Sequence, residues 1–220
     1  MSKLFCLTLA SVVAITGCNT MTQPSTKPAQ TVTTTAATVA VNPHQLLIDA
    51  QQHRSAGRAV PALQLTQQAI ASYEAAQDWR KLGATYTEYA KLLRSPIVPL
   101  SADLLIKQGF IDRKNGITFD NRIEKSREID QQAITVLSMA EQQSRAAQEY
   151  DLLTNIYVNQ ATAYLGLQQI ADACRSYDLA IAAYQDNRQQ LLQHSLSLTV
   201  GGETVEQQIQ KAQQQLGCAR

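Results

Sequence analysis

WRKLGATYTEYA, residues 79–90, places Trp79, Leu82, Gly83 and Tyr86 at intervals of three and four. Side chains at those intervals share one face of an α-helix. Bulky residues on such a face fill the seam with a neighbouring helix, and a glycine among them removes a side chain so that the neighbouring backbone can come near. The stretch therefore predicts a buried helix crossed tightly at Gly83.

The same rhythm extends in both directions. Upstream, PHQLLIDAQQHRSAG (43–57) reads as a helix stopped by Gly57, and RAVPALQLTQQAIASYEAAQ (58–77) as a second helix with Pro61 tolerable in its first turn. Leu46, Ala50, His53, Gly57, Ala62 and Ala69 hold the places that correspond to the later pattern, and Leu46 precedes Trp79 by 33 residues. Downstream, in YVNQATAYLGLQQIADACRSYDLAIAAYQ (157–185), Tyr157, Ala161, Tyr164, Ala173, Tyr177 and Ala180 alternate large and small in the same order. This pattern resembles the tetratricopeptide repeat, whose period is about 34 residues and whose first helix carries a Trp, a Leu-Gly pair and a Tyr. Two positions depart from it: Gln160 stands where Leu is usual and Gln185 where a closing Pro is usual. The resemblance covers most of 43–186 and implies an all-α fold of stacked antiparallel helix pairs.

One break interrupts the pattern. In SPIVPLSADLLIKQGFIDRKNGITFD (95–120), Pro96 and Pro99 stop the preceding helix, Ser101 is placed to cap a short helix ending at Gln108, and KNGITF reads as a turn. The insert reads equally as a partner-binding lobe or as an elaborated loop. Beyond it, Ile129, Ala133, Val136, Leu137, Ala140 and Ala147 share one face of a long helix from Asn121 to about Ala147, the displaced second helix of the middle repeat. At the carboxyl end Val205, Ile209, Ala212 and Leu216 predict a closing helix with a glutamine-rich exterior, which would cover the last open apolar face of a repeat stack. The paired glutamines at 51, 67, 131, 142, 168, 189 and 207 read as solvated helix faces.

The amino terminus reads as an address. Residues 1–17 combine Lys3, an apolar run and small residues, the layout of a signal peptide, and the run is too short to span a bilayer. Ile15-Thr16-Gly17-Cys18 resembles the lipobox of bacterial lipoproteins. That resemblance implies cleavage before Cys18 and acylation of its thiol. Each buried methylene of such chains contributes about 0.8 kcal/mol, so two or three chains anchor a protein without a membrane helix. Asn19 in place of Asp implies, by the enterobacterial sorting rule, an outer-membrane lipoprotein whose domain faces the periplasm. Residues 18–42, the lipidated Cys and a Thr-, Ala- and Pro-rich stretch, read as a flexible tether with an average reach of about 25–30 Å. The helical domain occupies 43–220.

Charge directs the chain to no particular surface: 19 Lys and Arg oppose 18 Asp and Glu, which excludes a broad basic field for nucleic acid. In an exported chain Cys174 and Cys218 are candidates for one disulfide. His44, His53 and His194 lack partners at metal-ligand spacing, and no nucleophile elbow or phosphate loop is present. The chain reads as a non-enzyme without metal or cofactor. By analogy with repeat geometry, Arg54, Arg80, Thr87, Glu88, Asn155, Thr162 and Leu165 are expected to face a groove that holds an envelope protein or peptide. In plan the chain resembles small repeat lipoproteins such as type IV pilus secretin pilotins and outer-membrane assembly factors. The competing readings are a self-oligomerising structural lipoprotein and, behind it, an envelope hydrolase drawing on Asp103, Asp112 and Asp120. Oligomeric state and partner identity are left open.

Overall fold

Four helix-to-helix connections in the computed structural model, which describes residues 42–190 and 202–218, are built alike. Each is three residues long with its middle residue in the left-handed region: Gly57 at φ 72°, Gln77 at 54°, Gln148 at 58° and Gln168 at 63°. In each, the middle N–H donates to the carbonyl three residues back and the next N–H to the carbonyl five back, as in Gln77 to Glu74 and Asp78 to Tyr73. This is the Schellman closure, which satisfies the last carbonyls of a helix and turns the chain sharply. A connection this short makes consecutive helices pack side by side.

The helices so joined are α1 (Pro43–Ser55), α2 (Ala59–Ala75) and α3 (Trp79–Arg94), then α6 (Arg122–Ala146), α7 (Tyr150–Gly166) and α8 (Ile170–Gln190). Between α3 and α6 lie α4 (Ile97–Leu100) and α5 (Ala102–Gln108), and α9 (Val205–Leu216) follows α8. Among the described residues the fold is all-α, with a single antiparallel bridge between Asp112 and Ile117. Helix α1 packs on α2, α3 on α6, α7 on α8 and α9 on α8, while α2–α3, α6–α7 and α3–α7 join the pairs. The expected signal peptide, all but the last residue of the tether, Cys18 and His194 lie outside the described residues.

The opening stretch now has its packing. Leu82 is buried, and an ideal Cβ on Gly83 would lie 2.5 Å from Leu137 Cγ and 3.4 Å from the Ala133 carbonyl oxygen. The glycine is what lets α6 approach α3. The buried apolar residues form three clusters, and three aromatics join them: Trp79 and Tyr86 pack against both the first and the middle cluster, Tyr164 against both the middle and the last. Tyr157 and Tyr177 are buried at the α7–α8 seam with Ala161, Ala173 and Ala180.

The insert belongs to this core. Val98, Leu105, Ile111 and Ile117 are buried in the first cluster with Leu63, Tyr73 and Tyr89. Asp112, also buried, accepts the Tyr89 hydroxyl at 3.1 Å and the Asn115 backbone and side-chain N–H groups at 3.2 and 2.6 Å. Gln67 on α2 donates to Tyr89 Oη at 2.8 Å and to the Ile111 carbonyl at 3.0 Å. The inner face of the segment completes the apolar cluster over α2 and α3. Ser101 stands at the N-cap position of α5 but caps nothing: its hydroxyl points back to the Ile97 carbonyl. Two of the paired glutamines also depart from the solvated-face reading, Gln67 as this polar anchor and Gln168 as a turn residue.

Candidate functional site

Charged side chains cross from α1 towards α7 in a chain of pairs. Arg54 of α1 meets Glu88 of α3 at 3.3 Å, and Glu88 also takes Lys91 at 2.7 Å. Beyond Lys91, Arg94 donates to Asp130 of α6 at 2.5 Å and to Ser126 Oγ at 3.1 Å. Asp130 is wholly buried, with Oδ1 accepting no protein donor. Burial pushes its carboxyl above the ordinary carboxylate range, and Arg94 and Lys91 pull the other way without reversing the direction. The pair sits against Gly166 of α7, where an added Cβ would fall on the Asp130 carboxylate and 2.7 Å from Arg94 Nη2. The absence of a side chain at Gly166 is what lets α7 close over a buried ion pair.

These contacts sort the expected groove residues. Arg54 and Glu88 are brought together, half-buried, beside a small hollow of about 70 Å³ lined also by Leu47, Gln51 and Leu92. Asn155 is exposed on α7 and Thr162 half-buried, and with Asn159 they form a polar stripe whose side chains donate to carbonyls four residues back. Leu165 packs against the last cluster, and Arg80 sits half-buried in the first turn of α3, where its charge acts on Tyr73 and Asp78. Thr87 must be corrected: it is fully buried and its hydroxyl donates to the Gly83 carbonyl at 3.0 Å, so it belongs to the α3 seam and reaches no partner.

A second concavity lies between α2, α3 and α6, roofed on one side by the turn of the insert. Its volume is about 340 Å³, with Ile70, Tyr86 and Val136 as apolar walls and Asn115, Gln132 and Thr135 as polar ones. Lys114 and Glu74, 3.2 Å apart, tie the turn to α2 at this cleft. Burial and the Glu74 charge raise the Tyr86 phenol. The mix of one aromatic, two aliphatic walls and amide and hydroxyl groups suits a short peptide segment rather than a charged small molecule. Sequence reading located the KNGITF turn but not Gln132 and Thr135, whose only signal is polarity beside the apolar Ala133 and Val136 on α6.

The two departures from the repeat pattern acquire partners. Gln160, where Leu is usual, is buried and donates to Glu141 Oε2 at 3.3 Å. Glu141 also accepts Tyr157 Oη and Arg145 Nε, each at 2.9 Å. Burial, the hydrogen bond to Glu141 and its charge push the Tyr157 phenol up to about 12. Gln185, where Pro is usual, donates to Glu206 of α9 at 3.0 Å. There α8 runs on and helps hold the closing helix, which Cys174 and Cys218 also secure through a disulfide with Cα atoms 5.7 Å apart.

Among the described residues no helix is long and apolar enough to cross a membrane, and no group of three or more His, Cys, Asp or Glu is placed to hold a metal ion. No protein-family model, no curated protein and no solved structure matches the chain.

Proposed function

We propose that this chain is an envelope adaptor, anchored in the outer membrane by acylation of Cys18 with its domain in the periplasm. Its tetratricopeptide-like stack of helix pairs holds a segment of a partner protein. The observation that carries this reading is the bridging of the clusters by Trp79, Tyr86 and Tyr164, because in a repeat stack the signature aromatics are the residues that join one pair to the next. Helix pairs stacked in this way leave an open face, and Asn155 and Asn159 supply it with amide groups that donate to carbonyls of their own helix, beside Thr162, whose hydroxyl also meets Tyr177 of α8. The Cys174–Cys218 bond supports an exported protein, since disulfides persist in oxidising compartments.

The test is photo-crosslinking in living cells, with the crosslinker at Asn155 on the stripe, at Gln132 in the cleft and at exposed Gln142 as control. The adaptor reading expects one identified partner captured from Asn155 or Gln132, through a single segment of that partner, and nothing from Gln142. Equal capture at all three positions ends it. Crosslinks from this chain to itself alone replace it with the self-oligomerising reading. Intact mass of the mature protein tests the anchor separately, and Cys18→Ser should release the chain from the membrane fraction.

A further inference from the structure

The insert that closes the first cluster with its inner face presents the opposite character outward. Among the described residues eight large hydrophobic side chains stand exposed, and four of them, Leu100, Leu104, Ile106 and Phe110, fall within one short stretch of the insert. Leu100 is 82 % exposed and Ile106 59 %. Leu105, between Leu104 and Ile106, is buried and pins α5 to the body, so both neighbours are held outward. Around them the charge is basic where it faces water: Lys107 is exposed and the Arg113 guanidinium lies 5.5 Å from the Phe110 ring. Of the insert's three acids Asp103 and, at its far end, Asp120 are exposed, while Asp112 is buried against Tyr89 and Asn115, so between Leu100 and Arg113 a single exposed acid faces Lys107 and Arg113.

None of the four lines a cavity described above. Peptide and small-molecule sites are concave, whereas a bilayer surface receives protruding apolar side chains flanked by Lys and Arg that reach its anionic headgroups. Chain length adds a further argument. About two dozen residues separate Cys18 from the start of α1, and even fully extended they span no more than about 85 Å. A chain acylated at Cys18 therefore keeps the start of α1 within that distance of lipid.

We infer that Leu100, Leu104, Ile106 and Phe110, with Lys107 and Arg113, form an interfacial contact that lays the helical body against an anionic bilayer surface. This rests on the acylated Cys18 proposed above. The lipid chains hold the protein at the membrane, and the insert sets which face of the body points away from it.

The test uses the full mature chain, acylated and reconstituted into vesicles of phosphatidylethanolamine and phosphatidylglycerol. With Cys18 acylated and Cys174 bonded to Cys218, Leu104→Cys supplies a single reactive thiol for an environment-sensitive fluorophore, and Gln142→Cys supplies the control. Nitroxide-bearing lipids should quench the label at 104 several-fold more than the label at 142. Replacing Leu100, Ile106 and Phe110 together by Ser should bring the two labels level while helicity is unchanged. Equally weak quenching at both sites, in protein whose mass shows the acyl chains, overturns the contact and leaves the anchor standing. A label at 104 that is shielded only as protein concentration rises assigns the patch to a second copy and likewise overturns it. A mature chain without acyl groups removes the anchor and this inference together.

Discussion

The two ends of the helical body are closed by different physics. At α2 and α3 the chain covers its apolar surface with its own insert, burying Val98, Leu105, Ile111 and Ile117 and adding the Tyr89–Asp112–Asn115 network. At α7 and α8 the cover is α9, which contributes one buried residue, Ile209, with Val205, Ala212 and Leu216 partly buried around it. Its remaining hold is polar and covalent: Gln185 to Glu206 at 3.0 Å, Gln213 to Asp178 at 2.7 Å, and the Cys174–Cys218 bond. A helix that buries little of itself needs a tie, and a segment that buries four large residues does not. The first end should therefore be indifferent to redox conditions and the last end governed by them.

Reduction, or Cys174→Ser, is the strongest way to break that contrast. The disulfide closes a separation of 44 residues, for which chain entropy predicts a loss of about 4 kcal/mol. Hydrogen exchange should show α9 amides losing protection first, with α2 and α3 unchanged. Equal acceleration at both ends would mean that the body unfolds as one unit and that the contrast is false.

Next in size is Gly83→Ala. Its Cβ would meet Leu137 Cγ and Cδ2 at 2.5 and 2.7 Å, so α3 and α6 must separate or Leu137 must leave its place. Overpacking of this kind costs about 1–3 kcal/mol. The urea midpoint should fall, and Leu137→Val added to Gly83→Ala should recover part of it. An unchanged midpoint would show that the seam yields freely. Tyr89→Phe probes the insert more gently: it removes the hydroxyl shared by Gln67 and Asp112 but leaves those groups the Ile111 carbonyl and Asn115. A loss of about 1–2 kcal/mol is expected, with faster exchange confined to the Asp112–Ile117 bridge.

The junction between the ends carries a pH signature. The Asp130 carboxyl is raised in the folded state, so the folded protein holds that proton more tightly than the unfolded chain does. The contribution is complete below the unfolded value and is lost as pH rises through the folded one. The difference in unfolding free energy between the protein and Asp130→Asn should therefore shrink as pH rises through that window. A difference that grows with pH would mean that Arg94 outweighs burial.

Much of this was legible from residue spacing. The intervals among Trp79, Leu82, Gly83 and Tyr86 report one helix face directly, and the positions of Val205, Ile209, Ala212 and Leu216 report another. What spacing does not carry is the register between elements far apart in the chain. Gln160 and Gln185 read as departures from a pattern because their partners, Glu141 and Glu206, are chosen by how α6 and α9 lie against α7 and α8. Analogy with repeat geometry assigns Thr87 to the groove, yet it lies inside the seam, where one bond to the Gly83 carbonyl satisfies its hydroxyl. The outward apolar face of the insert was hidden for the opposite reason. Leu104, Leu105 and Ile106 look alike in sequence, and only the packing of α5 separates the buried one from the exposed two.

The smallest effect concerns the turns that made the consecutive helices legible at all. Gly57 announced its turn because glycine is the usual residue at a left-handed helix end, whereas Gln77, Gln148 and Gln168 adopt the same conformation without announcing it. A side chain in that region is strained, and glycine relieves the strain while adding freedom to the unfolded chain, so each Gln→Gly change should stabilise by about 0.5–1 kcal/mol net. All three glutamines are exposed. Gln77→Gly reports on the first end, beside the insert, and Gln168→Gly on the last, beside the disulfide-bonded pair. In oxidised protein both should raise the unfolding midpoint alike. In reduced protein, Gln168→Gly should protect α7 and α8 from exchange while Gln77→Gly leaves them as they were. Loss of stability on either substitution would mean that the glutamine side chain holds its turn, and that the shared geometry of the four connections is not enough to close them.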